Sequence, residues 1–147
     1  HWGLSLAAGS FTLSIMILPL ILRTTEESLK SVPDSYREGA FGLGAGRLRT
    51  VFRIILPAAA PGILAGVILA IGRIVGETAA LIYTAGTVAQ IPENPMASGR
   101  TLAIHMYALS SEGLYTGQAY ATAVVLLVVV IGINALSACA AKKIAKG

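Results

Sequence analysis

Residues 61–84 read PGILAGVILAIGRIVGETAALIYT, an apolar run long enough to cross a bilayer, with Arg73 and Glu77 near its middle. A spanning helix takes about 20 apolar residues, so the run predicts a membrane helix and sets the class of the chain. At about 100° per residue, Gly62, Gly66, Ala70, Arg73, Glu77, Ala80 and Thr84 share one narrow face, with Gly72 and Gly76 at its edges. Branched residues such as Ile63, Val67, Ile71 and Ile74 take the other side. A small face lets helices approach closely or line a passage, and Gly62-x-x-x-Gly66 and Gly72-x-x-x-Gly76 both fit close contact.

The two charges need a reason. An arginine at mid-bilayer costs about 2.5–3.5 kcal/mol, and an exposed i,i+4 pair returns only about 0.2–0.5 kcal/mol. Arg73 and Glu77 are therefore expected to face a wet cavity, other charges or a ligand. The arginine fork suits a tetrahedral oxyanion. Glu77 would accept from a protonated oxygen of that anion, or hold Arg73 and moderate its grip. A salt bridge that fixes helix packing is the competing reading.

Two further runs are long enough to span, about residues 4–22 and 118–141, the latter containing AVVLLVVVIGI. Only 12% of the 147 residues are charged, against about 25% in soluble domains. Each span must satisfy its own backbone, so the expected fold is all-α, a polytopic membrane helix bundle with three spans. Arg23, Lys30, Arg37, Arg47, Arg49 and Arg53 lie between the first two spans, and Lys142, Lys143 and Lys146 follow the third. The connection 85–117 holds only Arg100, beside Glu93 and Glu112. Basic loops stay cytoplasmic, which places 24–57 and the C-terminus inside and 85–117 outside. In the outer loop, TLAIHMYAL is expected to form a packed surface helix.

The single cysteine, Cys139, cannot make an internal disulfide, and His1 and His105 are too far apart to suggest a metal site. No nucleophile–base pair stands out, so no catalysis and no cofactor are expected in this chain. The sequence opens at His1 and enters an apolar segment at once. It is expected to be part of a longer protein. A non-transporting membrane anchor or receptor subunit is an alternative, but it would carry an extramembrane ligand domain.

Residues 24–57 read TTEESLKSVPDSYREGAFGLGAGRLRTVFRIILP. Thr24 or Thr25 is expected to cap a helix that Pro33 stops, and Asp34 or Ser35 to cap a second, broken by Gly42, Gly44 and Gly46. An amphipathic helix from Arg47 then leads into the membrane. GLGAG is no phosphate loop, because no strand precedes it and no Gly-Lys-Ser/Thr follows.

From Glu38 the spacing is Glu38-Gly39-Ala40, three residues, Gly44, nine residues, Ile54, one residue, Leu56-Pro57. This resembles the EAA loop of bacterial ABC-importer permeases, E-A-A-x3-G-x9-I-x-L-P, with Gly39 in place of alanine. The segment from Leu18 to Pro57, together with GILAGVILAIGRIVGETAAL, resembles the phosphate importers of that family. The resemblance implies an inner-membrane permease subunit whose loop docks an ATPase. ATP and Mg would sit on that partner. It also implies a second homologous permease, two ATPase subunits, an external phosphate-binding protein and surrounding lipid, with no nucleic acid. A permease for sulfate, molybdate or another small solute is the nearest alternative. Such permeases have about twice this length, so N-terminal helices are expected to be missing.

Overall fold

The computed structural model describes residues 3–113 and 115–144. His1 and Lys146 lie outside them, as does the side chain of Lys143. Every regular element among the described residues is helical, and three helical stretches are long and apolar enough to cross a membrane. The fold is an all-α membrane helix bundle. Contacts divide it into two units, residues 1–18 with 71–135, and residues 19–70 with 136–147.

In the second unit, α1 (Leu6–Lys30) runs without a break through Arg23 and Thr24. The expected cap at Thr24 or Thr25 is not used. Thr24 Oγ1 instead donates back to the Leu20 carbonyl (3.0 Å), and Ser28 Oγ to that of Thr24 (2.7 Å). The pairs Arg23–Glu27 (3.1 Å) and Glu26–Lys30 (2.6 Å) support the same turns. Polar residues that would cap a free helix thus satisfy themselves inside a longer one.

Pro33 precedes α2 (Asp34–Gly42) in place of a side-chain cap. Asp34 lies in the first turn and pairs with Arg37 at 2.6 Å. Gly44 turns the chain at φ +78°, and α3 (Arg47–Thr50) follows. A π-helical turn, Val51–Ile55, joins it to α4 (Leu56–Gly76). Val32, Ile55 and Ala59 form a small core, with Leu29, Ile54 and Ile63 packed against it.

The contact of α1 with α4 in this unit rests on glycine. A Cβ on Gly62 would lie 2.6 Å from Ser28 Oγ, and one on Gly66 would collide with Thr24 Oγ1. Residues 24 and 28 oppose 66 and 62, so the two helices run antiparallel there. The Gly62-x-x-x-Gly66 face is therefore a helix-packing face, and the alternative that it lines a passage is corrected.

In the first unit, the free N–H groups at the start of α1 are taken by loop carbonyls. Ser5 N donates to Thr84 O (2.9 Å), Leu6 N to Ala97 O (3.1 Å) and Ala7 N to Pro95 O (2.8 Å). Leu81, Ala85 and Ile104 form the core beside Leu13 and Ile82. Ile104 belongs to α6 (Leu102–Glu112), which Thr101 caps and which ends at Gly113, φ +70°. With Ala103, Ile104 and Leu109 buried, α6 is the packed helix expected in the 85–117 connection. The last element is α7 (Thr116–Ile144).

Candidate functional site

The expected continuous helix over 61–84 is broken. α4 ends at Gly76, Glu77 and Thr78 are non-helical, and a four-residue helix, α5 (Ala79–Ile82), follows. Glycine is a weak helix former, and Glu77 supplies a reason to restart. Its Oε1 accepts from Ala80 N at 3.2 Å, holding a free donor at the head of α5. Glu77 and Arg73 consequently do not share a helical face. They form no ion pair; the pairs among the described residues are Arg23–Glu27, Glu26–Lys30 and Asp34–Arg37. The packing salt bridge is overturned, and so is the picture of Glu77 moderating Arg73 from one turn below.

The depth of Arg73 also changes. It sits in the last turn of α4 and is exposed. The helical stretch begins at the arginines of α3, not at Pro61, and the rise from Ile54 to Arg73 is about 28 Å. That is nearly the whole hydrocarbon thickness of about 30 Å. Arg73 lies toward the far end of the span rather than at mid-bilayer, where the helix C-terminus favours a cation and the desolvation cost is smaller.

A side chain missed at the sequence level lies in the same unit. Asn134 Oδ1, on α7, is buried without a hydrogen-bond partner. It comes within 3.7 Å of where a Cβ of Gly72 would sit. A polar residue inside VVVIGINAL was the available signal, since a buried amide oxygen in a membrane helix needs a donor.

The residues matched to the loop pattern fall into two groups. Glu38 and Gly39 are exposed on α2, whereas Ala40 is buried. Nothing lies within 4 Å of a Cβ on Gly39, so the departure from alanine fills no contact. Gly44 holds the left-handed turn, Ile54 packs on the Val32–Ile55–Ala59 core, and Leu56 and Pro57 are exposed at the start of α4. Arg37 is committed within the fold: it donates to the Leu29 carbonyl at 3.1 Å and lies 3.4 Å from that of Val32, closing the end of α1. Glu38 alone of that pair is free to meet a partner.

Residues 1–146 match the family of binding-protein-dependent transport system inner membrane components. The chain belongs to this family. Among its relatives, the phosphate transport system permease protein PstA of Mycobacterium leprae is 36% identical over 137 residues, 89% of this chain and 44% of that protein. The probable phosphate transport system permease protein PstA of Methanocaldococcus jannaschii is 33% identical over 132 residues, 88% of this chain and 47% of that protein. The probable ABC transporter permease protein YqgI of Bacillus subtilis is 35% identical over 126 residues, 77% of this chain and 43% of that protein. The chain spans less than half the length of these relatives. No solved structure matches it. Family members are inner-membrane components by description, in keeping with the three apolar helical stretches.

Proposed function

We propose that this chain forms the C-terminal part of a permease subunit in an ATP-driven importer of inorganic phosphate. Arg73 acts on the passing anion, and the segment from Glu38 to Pro57 couples the subunit to its ATPase. The observation that carries the first role is the break after Gly76. By the same helical rise the break lies about 33 Å from Ile54, at the far edge of the hydrocarbon, where an anion entering from the aqueous side would first meet the helix. An exposed, unpaired arginine stands one turn before that break. Glu77 serves by shaping the break through its bond to Ala80 N.

The second role rests on the exposed Glu38, the left-handed Gly44 and the way Ile54 ties the segment to the core at the root of α4. A push on α2 would reach α4 through Ile54 and Ile55. The working complex pairs this subunit with a second permease, two ATPase subunits that bind ATP and Mg, and an external phosphate-binding protein. Residues 24–57 and the C-terminus face the cytoplasm.

Phosphate is preferred over sulfate and molybdate because relatives covering most of the chain are named for phosphate transport. ATPase activity of the assembled complex tests this. Phosphate with its binding protein should stimulate hydrolysis, whereas stimulation by sulfate or molybdate alone would reject phosphate as the substrate.

A further inference from the structure

The loop between α5 and α6 holds a second cationic feature. We propose that Arg100, His105 and Gln90 form an outer subsite for a tetrahedral oxyanion, on the approach to Arg73. They line an open cleft of about 340 Å³ together with Ile91 and Thr101. That volume falls within the roughly 300–1,000 Å³ usual for small-ligand pockets. The lining holds no carboxylate. Arg100 is half-buried and joins none of the ion pairs among the described residues.

The backbone leading into Arg100 is pinned. Ser98 Oγ and Gly99 N both donate to the Ala85 carbonyl, at 2.9 and 3.2 Å. The carbonyl of Ala97 accepts from Leu6 N. Gly99 is buried, and a Cβ there would lie 3.3 Å from Pro92 Cγ. His105 follows one turn into α6, where its N–H donates to Thr101 O at 2.8 Å. The Thr101 oxygen accepts from Ile104 N as the cap, which leaves its O–H free to donate. Four lining side chains, Gln90, Arg100, Thr101 and His105, therefore offer donors. The Arg100 fork serves two anion oxygens, while the Gln90 amide, the Thr101 hydroxyl and a His105 ring N–H serve the others.

The cleft leads toward the end of α4 through two shared residues. Thr101 and Leu102, which border it, line a separate apolar cavity of about 320 Å³ with Ile74 and Val75. An anion held at Arg100 would stand across those two residues from the end of α4. The subsite rests on the oxyanion-transport reading for its purpose, but its occupancy is measurable without transport.

The experiment uses the assembled transporter in zwitterionic nanodiscs without binding protein. Modification of Arg100 by phenylglyoxal is followed by peptide mass spectrometry. Inorganic phosphate, sulfate, molybdate and chloride are compared at equal ionic strength. A tetrahedral oxyanion should slow modification of Arg100 saturably, about tenfold once the anion reaches about ten times its Kd, while chloride should not. Gln90→Ala and His105→Ala should each weaken that protection. Equal modification with and without all three oxyanions would overturn the subsite. Protection that appears only when the binding protein is added would also overturn it, by naming an acidic side chain of that protein as the occupant. Protection by oxyanions in a complex that hydrolyses ATP without response to phosphate would support the subsite while rejecting the phosphate reading.

Discussion

Two glycines on this chain should respond to alanine with opposite signs. At Gly66 an added Cβ would collide with Thr24 Oγ1 and lie 2.8 Å from Thr24 Cβ. The hydroxyl could rotate only by leaving the Leu20 carbonyl, and the Cβ is fixed by the α1 backbone, so the helices must part. Overpacking of this kind costs about 1–3 kcal/mol, and alanine's helix preference over glycine returns about 0.8–1.0 kcal/mol. At Gly39 nothing lies within 4 Å of the new Cβ, so only the helix preference acts. Gly66→Ala should therefore lose about 1 kcal/mol net and Gly39→Ala gain somewhat under 1 kcal/mol. Reversible unfolding of the full-length permease in mixed detergent micelles would measure both. A Gly66→Ala protein as stable as the parent would refute the close α1–α4 contact.

Other perturbations follow from the same contacts. Arg37→Ala leaves the Leu29 carbonyl at the end of α1 without its charged donor and should cost about 1.5–3 kcal/mol, read in the same unfolding assay; a neutral result would remove Arg37 from the fold. Glu77→Ala should destabilise the α5 turn by about 1 kcal/mol, as for a lost cap, while Glu77→Gln keeps an acceptor and should retain most uptake. Gly44→Val forces a branched residue into left-handed backbone at a cost of about 1–2 kcal/mol, and should weaken ATPase binding in pull-downs with insertion intact. Cysteine placed at residue 46 should resist labelling from outside intact cells; external labelling would reverse the orientation.

Much of this architecture is legible because the membrane makes sequence patterns strict. Three apolar runs mapped onto α1, the stretch ending in α4, and α7, and the glycine spacing at 62 and 66 marked a close helix contact. The boundaries were harder. Thr24 and Thr25 look like caps, yet α1 runs on through them: Thr24 bonds back to its own helix, and Gly66 and Gly62 on α4 make room for Thr24 and Ser28. At the other end, continuous apolar composition hid the break after Gly76. The signal was local: glycine, then an acid whose carboxylate reaches the N–H three residues on. Once the break is placed, Arg73 moves from mid-span to a helix end, and Glu77 changes from a charge partner to a backbone one. The Arg100–His105 cleft was not legible, because its lining is drawn from both ends of a loop pinned by α1.

The central claim is that Arg73 handles the anion rather than the fold. Uptake of labelled phosphate by proteoliposomes containing the complete transporter tests it, with Arg73→Gln and Arg73→Lys compared against the parent. No ion pair involves Arg73 among the described residues, so both variants should assemble and unfold like the parent. Loss of the guanidinium fork should lower the maximal uptake rate at least tenfold in Arg73→Gln, with partial recovery in Arg73→Lys, because lysine restores the charge but not the paired donors. Parent-like uptake by a fully assembled Arg73→Gln transporter would contradict the account.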